Sequence, residues 1–258
     1  MKYPKDKVDY IIKEYKKGRT QKDIAEELGT YNTTIRRILK REGIEVLGND
    51  KQQTVVSHNP FLDLNDDETL YWLGYLISDG NVSTNRNRIN ISTNKDPEHL
   101  KKYIKFLKSP VKLSKYLNKK YNCYEYSVNF ANKEVKEYLI LLGITPRKSL
   151  DITINFPVSY SLLRGLIDGD GYIRKYSETY STIELASGSL DFLNQIKQFL
   201  DNENIYSYIK QSKPNLWLLV ISYKEDVKKL ANNLYNNASV YLERKKQNIG
   251  SALWKHNV

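Results

Sequence analysis

A chain of 258 residues accommodates one large domain, or a small one joined to a larger one. Its net charge of +11 and 21 tyrosines beside 41 lysines and arginines favour a polyanionic partner, foremost nucleic acid. The single cysteine, Cys123, excludes a disulfide framework and a thiolate zinc site. His58, His99 and His256 are too scattered for a histidine metal site, and the absence of a membrane-spanning run or signal core predicts a soluble, intracellular protein.

At the N-terminus, Val8, Ile11, Ile12 and Tyr15 recur at helical spacing over residues 5–17. Thr20 makes a good N-cap for a helix over 21–28 closed by Gly29, and Asn32 or Thr33 caps a third helix over 34–41. Ala25, Gly29 and the apolar Ile24, Leu28, Ile35 and Ile38 give the spacing of a helix-turn-helix, with Ala25 small where the second helix crosses. The second helix of that motif enters the major groove, which nominates Asn32, Thr33, Thr34, Arg36, Arg37 and Lys40 for DNA contact. Residues 1–50 carry 12 basic and 9 acidic side chains, a net of +3, so this module, residues 1–45, predicts only weak binding alone. Residues 46–60 lack periodicity and read as a linker.

The remainder is organised by two related stretches. The first runs Tyr71-Trp72-Leu73-Gly74-Tyr75-Leu76-Ile77-Ser78-Asp79-Gly80, the second Leu162-Leu163-Arg164-Gly165-Leu166-Ile167-Asp168-Gly169-Asp170-Gly171. Each predicts an apolar helix that stops at its Asp-Gly, the glycine suiting a left-handed cap. Small residues four apart, Gly74 with Ser78 and Gly165 with Gly169, lie on one helix face. A glycine inside a helix costs about 1 kcal/mol against alanine, and a close helix crossing would justify it. Side by side, the two helices would bring Asp79 and Asp170 together at their negative dipole ends. One acid must then stay protonated or a cation must sit between them, and paired carboxylates suit a hard ion such as Mg²⁺.

After each stretch the pattern repeats. Residues 88–92 alternate, with Ile89 and Ile91 inward; a helix over 97–108, strands near 111–117 and 121–130, and a helix over 133–143 follow. The second copy predicts strands at 172–176 and 182–186, a helix over 189–200, strands at 206–212 and 216–223, and a helix over 225–236. The fold class is therefore α+β: two pseudo-symmetric αββαββα subdomains, residues 61–150 and 151–258, after a small all-α module. The outward strand faces are polar, basic and aromatic. They nominate Arg86, Arg88, Asn90, Lys112, Tyr116, Lys119 and Lys120 in one half, and Arg174, Tyr176, Tyr208, Lys210, Ser212 and Lys213 in the other, for duplex contact.

The stretch from Leu163 to Gly171 resembles the signature of the LAGLIDADG homing endonucleases. The stretch from Trp72 to Gly80 resembles it more distantly, with Trp72 at the opening position and Ile77 where the family often has an acid. The resemblance covers roughly residues 61–254. It implies a monomeric two-motif enzyme of intron-homing type whose saddle-shaped sheets lie on double-stranded DNA. Asp79 and Asp170 would bind two or three Mg²⁺ ions, Mn²⁺ able to substitute, with the backbone carbonyls of Ser78 and Gly169 assisting. In that family a lysine lies by the cleavage centre, which makes Lys148 and Lys245, each following the last helix of its half, the candidates. The implied reaction is a staggered double-strand break at a long site, with no small-molecule substrate. Two other uses of the scaffold stand beside it: a non-cleaving DNA-binding regulator, disfavoured by the acid retained in both motifs, and an RNA maturase.

Overall fold

The computed structural model describes residues 3–16, 19–44, 46, 56, 58–146, 152–177 and 180–253, the last four by backbone only. The chain divides into two units, Met1–Val55 and Val56–Val258.

In the first unit, helices α1 (Lys5–Lys16), α2 (Gln21–Glu27) and α3 (Asn32–Arg41) close over Val8, Ile11, Ile24, Ala25, Ile35, Ile38 and Leu39. Thr20 caps α2 reciprocally: its Oγ1 accepts from the Asp23 amide at 3.1 Å, and the Asp23 carboxylate accepts from the Thr20 amide at 3.4 Å. The third helix starts earlier than its side chains suggest. Tyr31, extended and making no side-chain cap, occupies the N-cap position, and Asn32 is already helical. Gly29 at φ +60 and the Thr30 amide bonded to the Ala25 carbonyl at 2.8 Å close the turn so tightly that only Tyr31 remains to lead into the helix.

The second unit repeats one order twice, as the alternation and helix signals predict. The first copy is α4 (Asp67–Asp79), β1 (Gly80–Val82), β2 (Arg88–Thr93), α5 (Pro97–Phe106), β3 (Leu113–Asn118), β4 (Cys123–Ala131) and α6 (Lys133–Leu141). The second is α7 (Tyr160–Gly169), β5 (Tyr172–Lys175), β6 (Ser181–Ser187), α8 (Leu190–Asn202), β7 (Tyr208–Lys213), β8 (Leu216–Ile221) and α9 (Lys224–Tyr235), followed by α10 (Glu243–Leu253). Each copy forms an antiparallel four-stranded sheet, ordered β1-β2-β4-β3 and β5-β6-β8-β7. The helices cover one face of each, burying Ile89, Ile91, Val128 and Phe130 in the first and Ile183, Leu185, Leu219 and Ile221 in the second.

The two copies meet through α4 and α7. A Cβ added to Gly74 would fall on the Leu162 carbonyl oxygen, with the Leu166 amide nitrogen at 3.0 Å. One added to Gly165 would fall on the Tyr71 carbonyl oxygen, with the Tyr75 nitrogen at 2.7 Å. Backbone thus packs on backbone, the reason for glycine inside both helices. The glycines that end the motifs serve the same purpose, contrary to the left-handed caps predicted for them. Gly80 is extended at φ −87, and Gly171 is absent from the positive-φ residues. A Cβ on Gly80 would lie 2.8 Å from Leu76 Cα, and one on Gly171 2.6 Å from Ile167 Cα, so the chain doubles back over its own last helical turn.

Candidate functional site

The crossing of α4 and α7 carries Asp79 and Asp170 to the same end of the helix pair, where Asp79 is half-buried and Asp170 exposed. Burial first, and the Asp170 charge second, push the Asp79 carboxyl up to about 6. The buried Tyr75 hydroxyl, the Lys245 ammonium and the Arg244 guanidinium act in the opposite sense.

Two clefts flank the acids, and each joins the acid of one motif to the small residue of the other. A cleft of about 430 Å³ holds Asp79 and Gly169 with Ser92, Thr93 and Arg244. Its pseudo-symmetric counterpart, about 470 Å³, holds Asp170 and Ser78 with Ala186, Ser187 and Thr145. A Cβ built on Gly169 would lie 3.6 Å from the Asp79 carboxyl carbon, so the α7 backbone runs directly beside that acid. Among the described residues no group of three or more His, Cys, Asp or Glu side chains could hold a metal ion. A cation here would rest on two carboxylates and backbone oxygens, a set that suits a hard divalent ion retaining most of its water.

Lys245 lies at this centre, only 7% exposed. Its Nζ donates to the Gly171 carbonyl, immediately beyond Asp170. Burial, then the neighbouring Arg244 charge, lower its pKa; Asp168, Asp79 and Asp170 counter them. Arg244 is held by Asp96 at 2.8 Å. Lys148, the other lysine singled out from the sequence, lies outside the described residues.

One residue that sequence reasoning did not single out ties the centre together. Asp168, fully buried on α7, accepts from the Tyr235 hydroxyl at 2.6 Å, the Leu242 amide at 2.7 Å and the Tyr71 hydroxyl at 2.9 Å. These partners come from α9, from the segment leading into α10, and from α4. Burial pushes Asp168 up to about 6 despite the three hydrogen bonds, which favour the carboxylate. Because Tyr71 spends its proton on Asp168, the buried His99 donates through Nε2 to the Tyr71 oxygen at 2.7 Å, leaving its Nδ1 without a partner. Burial drives the His99 pKa down to about 3, so the ring is neutral. One turn before Asp168, the buried Arg164 donates to the Leu234 carbonyl at 2.8 Å and the Val240 carbonyl at 2.9 Å, capping the end of α9. The sequence signal for Asp168 was the acid itself, an unpaired charge inside an apolar helix.

Opposite its helices, the first sheet presents Arg88 and Asn90 as predicted, Tyr116 exposed on β3, and Asn129 of β4, which was not predicted; Ser127 faces the same way but is buried. Asn129 Oδ1 accepts from Arg88 Nε at 2.9 Å and from Asn90 Nδ2 at 2.6 Å. Arg86 falls on the bend before β2, Lys112 just before β3, and Lys119 and Lys120 in the β3–β4 turn; all four are exposed. On the second sheet Tyr208, Lys210 and Arg174 are exposed on strands, Tyr176 follows β5, and Ser212 stands in a bulge between Gln211 and Lys213 that breaks the alternation expected of β7. In the first unit Asn32, Thr33, Arg36, Arg37 and Lys40 are exposed along α3, with Thr34 half-buried. Among the described residues no helix is long and apolar enough to cross a membrane.

Residues 158–235 match the family model of a LAGLIDADG-like domain. Among solved structures, the chain is similar to the homing endonuclease I-WcaI bound to its DNA recognition sequence, at 16% identity and a TM-score of 0.55, over 81% of this chain and 97% of that one. It is also similar to I-DmoI in complex with DNA and Ca, at 15% identity and a TM-score of 0.50, over 74% of this chain and 98% of that one. At these identities the likeness is one of fold. No curated protein sequence matches the chain.

Proposed function

We propose that this chain, which matches a LAGLIDADG-like domain over residues 158–235 and is similar in fold to homing endonucleases, is a site-specific LAGLIDADG endonuclease that makes a staggered, divalent-cation-dependent double-strand break in duplex DNA. The observation that carries the reading is the acid pair: Asp79 and Asp170, one from each motif, each in a cleft with the small residue of the other. A fold gains nothing by gathering two carboxylates at two helix C-termini, where burial and repulsion already raise Asp79. Cation binding supplies the compensation, and the donor set fits Mg²⁺, with Mn²⁺ able to substitute.

In this reading Asp79 and Asp170 hold two or three ions, with the backbone carbonyls of Ser78 and Gly169 completing the sites. Bound there, the ions supply Lewis acidity toward the phosphodiester and toward water. Lys245 offers a fixed positive charge for the negative charge that develops at phosphorus, in a place where burial strengthens its effect. Lys148 takes the same role in the other half. The sheet faces opposite the helices bind the duplex on either side of the acids. The helix-turn-helix, through Asn32, Thr33, Thr34, Arg36, Arg37 and Lys40, adds affinity as a tethered second module. Both motifs lie in one chain, so a monomer suffices.

The test is cleavage of a plasmid library carrying a randomised insert, with cut ends captured and sequenced, in Mg²⁺ and in EDTA, for the native chain and for Asp79→Asn and Asp170→Asn. Ends that cluster at one sequence with a fixed stagger, only in Mg²⁺, and vanish in either variant are expected. Duplexes retained but never cut, equally by all three proteins, would leave a non-cleaving DNA-binding protein.

A further inference from the structure

The two sheet faces opposite the helices differ in chemistry. Across the first, the register places Asn81, Asn90 and Asn129 in one row and Ser92, Ser127 and Ser114 in the next. These side chains and Arg88 are hydrogen-bonding groups; Asn129 is already bound to Arg88, Asn90 and Ser127, and Ser127 itself is buried. Across the second, Ala186 pairs with Leu218, which pairs with Lys210, while Glu184 pairs with Val220, which pairs with Tyr208. Leu218 lies outside the hydrophobic core formed by Leu219 and Ile221 on the same strand and faces away from it, whereas Val220 on that same face is buried, at 2% exposure. Ala186 is exposed and Leu218 half-exposed. A short aliphatic strip, the cross-strand pair Ala186 and Leu218, therefore sits in the middle of this face beside the exposed cations Lys210 and Arg174, the latter 3.8 Å from the Glu184 carboxylate.

We infer that the two halves read DNA by different chemistry: the second sheet recognises thymine C5-methyl groups in the major groove, and the first reads purine edges by hydrogen bonds. The inference rests on the proposed function. Each base pair shows a distinct pattern in the major groove, where the thymine methyl is the one apolar feature. Small aliphatic side chains complement it, whereas asparagine matches adenine and arginine matches guanine. The flanking cations neutralise the backbone phosphates on which such a strip would otherwise be unwelcome. The target is asymmetric, with thymines concentrated in the half-site under β6 and β8.

The test uses the full chain and duplexes it retains from a randomised pool in Ca²⁺. Each dT of a retained site is replaced by deoxyuridine, one half-site at a time, which removes the methyl and leaves pairing intact. Binding is expected to weaken about fourfold per contacted methyl in one half-site only. In Leu218→Asn that sensitivity should disappear, while Asn129→Ala should keep it and lose discrimination in the other half. Equal response to deoxyuridine in both halves, or no response in either, overturns this inference and leaves the endonuclease reading standing. Failure to retain any duplex overturns both. Because the methyls are removed from the DNA, the first measurement holds even if a variant does not fold.

Discussion

Replacing Gly165 by alanine sets two known effects against each other. Alanine in a helix interior is favoured over glycine by about 1 kcal/mol, so on propensity alone the variant gains stability. The new Cβ, however, would stand 2.7 Å from the Tyr75 nitrogen and 3.0 Å from the Tyr71 carbonyl carbon, and closer still to the carbonyl oxygen. These are backbone atoms of a helix and cannot rotate aside. Restoring ordinary contact requires α4 and α7 to separate by roughly 1 Å, which also weakens dispersion contacts along their seam. The same movement stretches the Tyr71–Asp168 hydrogen bond, now 2.9 Å, beyond useful geometry. Overpacking at the upper end of about 1–3 kcal/mol, plus about 1 kcal/mol for the hydrogen bond, outweighs the propensity gain. The net loss is about 3 kcal/mol, or a fall in Tm of roughly 6–12 °C for a unit of this size. Thermal unfolding of the full chain by circular dichroism measures it. Gly169→Ala should lose stability too, because there the Cβ would stand 2.7 Å from Ser78 Cβ, which the backbone fixes, and only the Ser78 hydroxyl can rotate aside. A Gly165→Ala protein as stable as the parent would refute the close-packing account of the motif glycines.

Three further outcomes follow from the same geometry. Asp168→Ala strands two buried tyrosine hydroxyls and the Leu242 amide; at about 1–3 kcal/mol each, urea denaturation should show a loss of several kcal/mol, with Asp168→Asn losing distinctly less. Asp79 titrates in the fold at about 6, above its ordinary value of 3.8, so its ionisation opposes folding increasingly as pH rises from about 4 to 6. Asp79→Asn should therefore raise Tm in EDTA above pH 6 but not at pH 4, and Ca²⁺ affinity of the native chain, followed by calorimetry, should rise with pH through 6 as a bound proton is released. Absence of both pH steps would contradict the assigned burial. Lys245→Met should leave duplex affinity within a few-fold while slowing cleavage in single-turnover assays about 10²-fold, the scale of losing one preorganised charge-stabilising group; unaltered cleavage would remove Lys245 from the mechanism.

Local chemistry made a good deal legible from the chain alone. The N-cap at Thr20, the alternation of β2 and the twin Asp-Gly endings are written in neighbouring residues, because helix caps and strand faces depend on spacings of two to four. The repeated αββαββα order followed from them. What needed the folded chain was everything resting on distant partners. Asp168 meets residues 67 to 97 positions away, so its three hydrogen bonds could not be foreseen from its apolar helix. Gly80 and Gly171 suggested a left-handed turn, whereas packing against Leu76 and Ile167 is what excludes a side chain there. On β8 the run Leu216-Trp217-Leu218-Leu219-Val220-Ile221 is apolar on both faces, so periodicity could not say which residues face the core. Pairing with β6 and β7 decided it: register assigns every second side chain to one face, and register is set by contacts between strands rather than within one.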